Sequence, residues 1–222
     1  MNKTYFSITQ QARQADIYIF GDITSYPYKP GDHSAGSLVR AIQELDADVI
    51  NVHIDCYGGS VKEGWGIYNA LKHCKAKVNT YADGFVASAA LYPFLAGENR
   101  IASNVSAFYL HEVMMSASGY ASDLREAADD AEKMTDIGIQ AFVETTGISE
   151  EKIKELMQKE SWLDPKEALE LHIATGIYGV DFGQGYSQSV RMDIVQRLTH
   201  PEQEPREPKS PEPTNTLRKF FA

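Results

Sequence analysis

The 222-residue sequence is poor in cysteine, in positive charge and in long apolar runs. Two cysteines, Cys56 and Cys74, are too few for a disulfide-rich fold, and we expect both as reduced thiols. No run of 18 apolar residues occurs, so no membrane span is predicted. The formal net charge is −10, from 21 basic and 31 acidic residues. This argues against a nucleic-acid partner, because binding a phosphate backbone requires a basic face.

Targeting signals and an even spread of proline are also missing. The N-terminus has no apolar stretch followed by a small-residue cleavage site, so a cytoplasmic protein is expected. Five of the nine prolines fall within residues 201–213, and the last 24 residues, from Thr199, contain four acidic and four basic residues. We therefore predict an N-terminal segment at 1–14, a folded domain at 15–185 and a disordered, Pro-rich tail at 186–222. The tail ends in an aromatic, amphipathic peptide, Leu217–Ala222, which we predict to be a docking or self-cleavage segment.

Strand and helix patterns alternate along the first 110 residues. Apolar and β-branched runs predict strands at 17–20, 49–55, 78–81 and 106–110. Periodic apolar positions predict helices at 34–45, from Ser60 onward and at 86–95. This alternation is typical of an α/β fold of parallel β–α–β units with a sheet covered on both faces.

The second half of the sequence is mainly helical. A long amphipathic helix is predicted at about 121–146, a shorter one near 149–159, and a last strand near 177–180. Residues 121–160 contain eleven acidic and five basic residues, so the outer face of the long helix is expected to be solvated. Asp164 precedes Pro165 and Glu167, a pattern that predicts a helix cap at Asp164.

Two glycine-containing turns are candidates for chemistry. Gly58-Gly59-Ser60 follows a strand and begins a helix, with Ser60 and Glu63 spaced as a capping box. Its backbone amides could hold an oxyanion, although such a turn is more often a plain connector. It is neither a phosphate-binding Walker loop nor a dinucleotide fingerprint. The second turn precedes Ser88, whose hydroxyl either bonds a local carbonyl or lies at a strand-to-helix junction.

Two further residues complete the set of candidates. His111 ends the strand at 106–110, where parallel α/β folds place catalytic groups, although a strand-end histidine often only satisfies a local bond. Glu160 follows a helix and precedes Trp162; by position alone it is a solvated helix-end acid. No metal-ligand cluster is predicted.

Taken together and in order, these segments resemble the proteolytic subunit of the Clp protease, and more closely the Clp-related head-maturation proteases of tailed phages. Four segments carry the resemblance: Ile-Asp-Cys-Tyr-Gly-Gly-Ser-Val, Gly-Phe-Val-Ala-Ser-Ala-Ala, the strand ending in His111, and Glu-Ser-Trp-Leu-Asp-Pro-Lys-Glu-Ala. It covers about residues 15–181 and implies the ClpP/crotonase-type α/β fold, with the helix at about 121–146 as a protruding handle.

The resemblance also implies roles for individual residues. Ser88 would be the nucleophile, His111 the general base and Glu160, where the family usually has Asp, the triad acid. Asp164 is the nearest substitute for that acid. The amides of Gly59 and Ala89 would form the oxyanion hole.

The function expected from this resemblance is a serine endopeptidase acting on capsid or scaffold protein during phage maturation. Independence of ATP is expected because Ala107 replaces an Arg that the cellular family uses in assembly, and because no axial N-terminal hairpin for docking an unfoldase is evident. The resemblance implies no metal, nucleotide or other cofactor. A ring-forming homo-oligomer is expected from the handle helix. The alternatives are an ATP-dependent Clp proteolytic subunit, a crotonase-like acyl-CoA enzyme and a non-catalytic capsid assembly factor.

Overall fold

A computed structural model describes residues 6–25 and 34–178, which all belong to one compact unit. The strands are β1 Phe6–Gln11, β2 Gln14–Phe20, β3 Val49–Cys56, β4 Lys77–Ala87, β5 Asn99–Ser103, β6 Ala107–Leu110, β7 Ser161–Leu163 and β8 Gly176–Tyr178. The helices are α1 Ala35–Glu44, α2 Val61–His73, α3 Leu91–Leu95, α4 Ala121–Thr146, α5 Glu150–Gln158 and α6 Pro165–Glu170. The predicted tail at 186–222 and its terminal peptide lie outside the described residues.

The sheet forks at β4. Its main path runs β1-β2-β3-β4-β5-β8, with every pair parallel except β1–β2. The first part of β4 pairs with β5, and its last residues, Phe85–Ala87, pair with β6. β6 in turn pairs with β7 in the antiparallel sense. This mixed α/β architecture confirms the predicted fold class.

One face of the sheet forms the core with α1, α2 and α3. Alternate residues of β2 and β3, such as Ile17, Ile19, Val52 and Ile54, are fully buried there. The residues between them are only half-buried, so the expectation of a sheet covered on both faces is wrong for the described part of the chain. That second face instead carries a stack of Tyr18, His53 and Tyr81 and a row of hydrogen-bonded side chains, namely Asp16, Asn51, Asn79 and Asn99.

Two local predictions need correction. The helix predicted at 86–95 is wrong in its first half, because Val86 and Ala87 pair with β6 as the end of β4. Ser88–Ala90 form a single 3₁₀ turn, and the α-helix proper is Leu91–Leu95. The strand β1 was also not predicted: residues 6–11, assigned to the N-terminal segment, pair with β2 in an antiparallel hairpin.

The long helix α4 spans Ala121–Thr146, as predicted. Asp123 begins it by accepting a hydrogen bond from the Tyr120 amide at 2.8 Å. Gly147 ends it in the left-handed conformation with φ of 73°. Its first half is almost entirely exposed, whereas Ile139 and Phe142 in its second half are fully buried. The helix is therefore anchored at one end only, as a handle would be.

Candidate active site

The glycine turn after β3 is held in place by the segment that follows β2. Gly58 and Gly59 have φ of 101° and 128°, values that favour glycine. The Ile23 amide donates to the Gly58 carbonyl at 2.6 Å, and the Ser60 amide donates to the Ile23 carbonyl at 2.9 Å. The turn is thus fixed on both sides of Gly59.

The predicted capping box at the start of α2 is half correct. Ser60 caps the helix, with its hydroxyl accepting a hydrogen bond from the Glu63 amide. The Glu63 carboxylate does not return to the Ser60 amide, because that amide already donates to Ile23. Glu63 instead accepts a hydrogen bond from the Ser25 hydroxyl at 2.6 Å. The carboxylate therefore ties α2 to the segment after β2.

Ser88 lies where β4 turns into α3. Its φ of 55° is a strained value for a residue other than glycine. The strand before it and the buried helix after it fix both neighbours, so the left-handed turn presents the side chain at the end of the strand.

The glycine turn and the Ser88 turn are in contact. A Cβ atom on Gly58 would lie 2.7 Å from the Ser88 Cβ and 2.9 Å from the Ala89 amide nitrogen. No side chain can therefore occupy position 58 without displacing Ser88 or Ala89. The two predicted oxyanion donors, Gly59 and Ala89, lie on these two touching turns.

His111 follows β6, which runs beside the end of β4 with Ala87 opposite Tyr109. This parallel register places the imidazole beside Ser88, with Nε2 2.7 Å from the Ser88 Oγ. Nδ1 lies 2.6 Å from the carbonyl oxygen of Glu112. Since a carbonyl can only accept, Nδ1 carries the hydrogen and Nε2 has a lone pair for the serine hydroxyl.

The electrostatics of His111 favour its neutral form. Burial lowers the pKa of the imidazole, and the hydrogen bond to Glu112 and the charge of Glu160 oppose this only in part. A neutral imidazole is the form that can accept a proton from Ser88.

Glu160 and His111 flank the end of the β6–β7 pairing. The antiparallel ladder ends with Leu110 opposite Ser161, and His111 follows Leu110 in the chain while Glu160 precedes Ser161. The backbone of Glu160 is left-handed, with φ of 50°. Its carboxylate does not bond His111; it accepts a hydrogen bond from the Tyr109 hydroxyl at 3.3 Å. The predicted acid is therefore next to the histidine without a direct hydrogen bond to it.

Asp164, the substitute acid, is a helix cap. Its carboxylate accepts hydrogen bonds from the amides of Lys166 and Glu167 at 2.8 and 2.9 Å. Glu167 returns a carboxylate oxygen to the Asp164 amide at 2.8 Å. This reciprocal arrangement confirms the predicted cap and accounts for Asp164 fully.

A small apolar pocket opens beside Ser88 and His111. Its walls include Leu91 and Tyr92 of α3, Phe142 of α4 and Met157 of α5. Among the residues 6–25 and 34–178, no cluster of His, Cys, Asp and Glu could hold a metal ion. Within the same residues, no helix is long and apolar enough to cross a membrane. The chemistry that Ser88 and His111 can carry out together is nucleophilic attack by a hydroxyl beside a neutral imidazole.

Comparison with known proteins decides the family. The sequence profile described as Clp protease matches residues 3–180. The chain belongs to the Clp protease family. It is accordingly a serine peptidase, and the short distance between Ser88 and His111 agrees with that family chemistry.

Relatives in the Clp protease family cover most of the chain. An ATP-dependent Clp protease proteolytic subunit 2 of Borreliella burgdorferi is 32% identical, over 70% of this chain and 78% of its own length. The corresponding subunit of Paracoccus denitrificans is 28% identical, over 74% of this chain and 81% of its own. The solved structure of a ClpP1 point mutant from Listeria monocytogenes shares the fold, with a TM-score of 0.63, 24% identity, and coverage of 75% of this chain and 92% of that one.

Three residues near the Clp-type site were missed by the sequence analysis. These are Tyr109, which bonds Glu160; Glu112, whose carbonyl accepts from His111; and Thr135, whose hydroxyl accepts from the Val113 amide at 2.9 Å. Tyr109 lies two residues before His111, and alternate residues of an extended chain share a face, so the sequence pattern could have indicated Tyr109. The contact of Glu112 is made by its backbone carbonyl, and Thr135 belongs to the distant helix α4, so no sequence pattern predicts either contact.

Proposed function

We propose that the protein is a serine endopeptidase in which Ser88 attacks the peptide carbonyl. The observation that carries this proposal is the 2.7 Å distance between Ser88 Oγ and His111 Nε2. His111 takes the hydroxyl proton as the Oγ–C bond forms, and then gives it to the leaving amine as the C–N bond breaks. Water hydrolyses the resulting acyl-enzyme by the same proton transfers in reverse order.

The amides of Gly59 and Ala89 are the proposed donors to the oxyanion of the tetrahedral intermediate. In support, Gly58 and Ala89 are in direct contact, and the positive φ values at 58 and 59 turn that backbone away from normal strand geometry. Each such donor contributes roughly 3–4 kcal/mol to the transition state.

Glu160 is the proposed acid of the site. Burial lowers the pKa of His111 overall, and the charge of the Glu160 carboxylate opposes this lowering, which is the effect expected of a charge that stabilises the imidazolium formed during catalysis. The register of β6 and β7 supports this assignment, because His111 and Glu160 are the residues next to its last pair, Leu110 and Ser161.

The proposed substrates are extended peptide segments added as a strand beside the glycine turn, with an apolar side chain in the pocket next to Ser88. The substrates we favour are capsid or scaffold proteins of a phage. The setting we favour is the maturation of phage heads in the cytoplasm. The support is the resemblance carried by the four segments, including Glu160 and Trp162 in the acid-bearing one. No nucleic acid, membrane or cofactor takes part in the proposed reaction.

A homo-oligomer, built as a ring, is the proposed assembly. Large apolar side chains are exposed in and just before α4, namely Met114, Met115, Tyr120, Leu124 and Ile137. Several exposed apolar groups in one stretch of the chain are typical of a protein interface.

Cleavage without ATP is proposed because the serine reaction consumes no nucleotide and because Ala107 replaces the family's assembly arginine. The second candidate is an ATP-dependent proteolytic subunit, which is what the relatives of Borreliella burgdorferi and Paracoccus denitrificans are named. An unfolded protein substrate distinguishes the two, since a nucleotide-independent endopeptidase degrades it unaided.

The test is to incubate the purified full chain and its Ser88→Ala variant with an unfolded protein and with a short apolar peptide, both without ATP. We expect the wild type to cleave both and the variant to cleave neither. Cleavage of the peptide alone would favour the ATP-dependent candidate. Equal cleavage by the two proteins would refute the assignment of Ser88, and no cleavage by either would leave the assembly factor.

A further inference from the structure

Glu160 has a second neighbour besides His111, and that neighbour has no part in the reaction proposed above. Tyr109 lies at the centre of an aromatic group, with its ring 4.5 Å from that of Trp162 and 5.4 Å from that of His111. The side chain is almost fully buried. Packing of this kind fixes the ring, and the hydroxyl therefore has a fixed position from which to donate.

Glu160, in contrast, has little to hold it. The residue is exposed, and a glutamate side chain loses considerable rotamer entropy when it adopts one position. Among the hydrogen bonds of the described residues, its carboxylate has the one from Tyr109, at 3.3 Å. Without that bond, the carboxylate would favour water over a position beside the imidazole.

His111 does not hold Glu160 either. The imidazole Nδ1 hydrogen is taken by the Glu112 carbonyl at 2.6 Å, which orients the ring but carries no charge. A neutral acceptor stabilises an imidazolium less than a carboxylate does. The negative charge must then come from Glu160 through space, and its strength depends on where the carboxylate is held.

We propose that Tyr109 is a positioning residue that holds the Glu160 carboxylate beside His111, while the Glu112 carbonyl orients the imidazole. This deepens the proposed function and rests on it. Two groups then share the role of the triad acid. The Glu112 carbonyl sets the tautomer of His111, and the Glu160 carboxylate, held by Tyr109, supplies the negative charge.

The protonation state of Tyr109 agrees with this role. Burial and the adjacent Glu160 charge raise its pKa to about 12, so it remains a donor at any pH at which the protein works. The other charged groups near this end of the site include Glu112 and, on the helices packed against it, Lys154 of α5. Lys154 pairs with Asp136 of α4 at 2.9 Å and also interacts with the charge of Glu132. These groups are not changed in the variants below, so their effect on the pKa of His111 is the same in every variant.

The test is the variant Tyr109→Phe, which removes the hydroxyl but keeps the ring. The pKa of His111 is measured by NMR titration of the full chain, with His111→Ala to assign its signal. We expect the pKa to fall in Tyr109→Phe, to fall further in Glu160→Gln, and to be the same in the double variant as in Glu160→Gln. The rate of Ser88 labelling by a phosphonate should fall about three- to tenfold in Tyr109→Phe and no further when Glu160→Gln is already present.

Tyr178→Phe is the matched control, because Tyr178 also donates to a carboxylate, that of Asp83, at 2.8 Å, outside the candidate site. Its His111 pKa should equal that of the wild type. An unchanged or raised His111 pKa in Tyr109→Phe, or an equal effect with and without Glu160, would overturn the proposal. Because the titration needs no turnover, it gives this answer even if Ser88 proves not to be the nucleophile, an outcome that the Ser88→Ala comparison detects separately.

Discussion

Replacing Gly58 with alanine tests whether the glycine turn is part of the active site. The added methyl group would lie 2.7 Å from the Ala87 carbonyl oxygen and the Ser88 Cβ, and 2.9 Å from the Ala89 nitrogen. Two of these three atoms belong to the backbone, so the overlap can be removed only if the chain around Ser88 moves.

Two costs combine in this variant. Alanine at a φ of 101° is strained, and the contacts add overlap; together we expect a loss of about 2–4 kcal/mol in the free energy of unfolding. Movement of the Ala89 amide also weakens a proposed oxyanion donor, whose complete loss costs roughly 3 kcal/mol. We therefore expect the rate of Ser88 labelling to fall about ten- to a hundredfold in protein that is still folded.

Chemical denaturation and the labelling rate measure these two effects separately. Gly66→Ala is the matched control: it lies inside α2, and a Cβ there would meet only Val39, at an ordinary 3.8 Å. It should raise stability by about 0.5–1 kcal/mol and leave labelling unchanged. If folded Gly58→Ala were labelled at the wild-type rate, the glycine turn would not belong to the site.

The other predictions concern His111 and Asp164. The rate of Ser88 labelling should rise with pH to a plateau, because only the neutral imidazole accepts the proton. The midpoint should lie below the ordinary histidine pKa of about 6.5, since burial lowers the pKa of His111. A midpoint above that value would contradict the burial argument. Asp164→Ala should lower the free energy of unfolding by about 1 kcal/mol through loss of its two cap bonds and leave the labelling rate unchanged. A fall in labelling as large as that of Glu160→Gln would instead make Asp164 the acid.

The sequence predicts the elements whose side chains alternate or repeat clearly. β3 and the start of α2 are examples, because their buried positions follow periods of two and of three to four. The stretch from Val86 to Leu95 could not be divided in this way. Nearly every residue in it is buried, so strand, turn and helix all appear as one apolar run.

Short strands were missed for a different reason. β7 has three residues and β5 has five, with polar Asn99 and Arg100 at its start. Each exists because a distant strand pairs with it, as Ser161–Leu163 do with β6. Local pattern carries no information about such pairing.

The candidate site could be predicted as far as its residue types. Ser88 and His111 are 23 positions apart, and the pairing of β4 with β6 brings them together as expected. The direction of the Glu160 side chain could not be predicted. It depends on a tyrosine 51 positions earlier and on a backbone carbonyl that already occupies His111 Nδ1.

The central claim is that Ser88 is a nucleophile activated by His111. The most direct measurement is to label the full chain with a serine-reactive phosphonate and to locate the adduct by mass spectrometry of its peptides. The account predicts one adduct, on Ser88, that forms in the wild type and is lost in His111→Ala. An adduct on another serine, or labelling of Ser88 at an equal rate without His111, would contradict it.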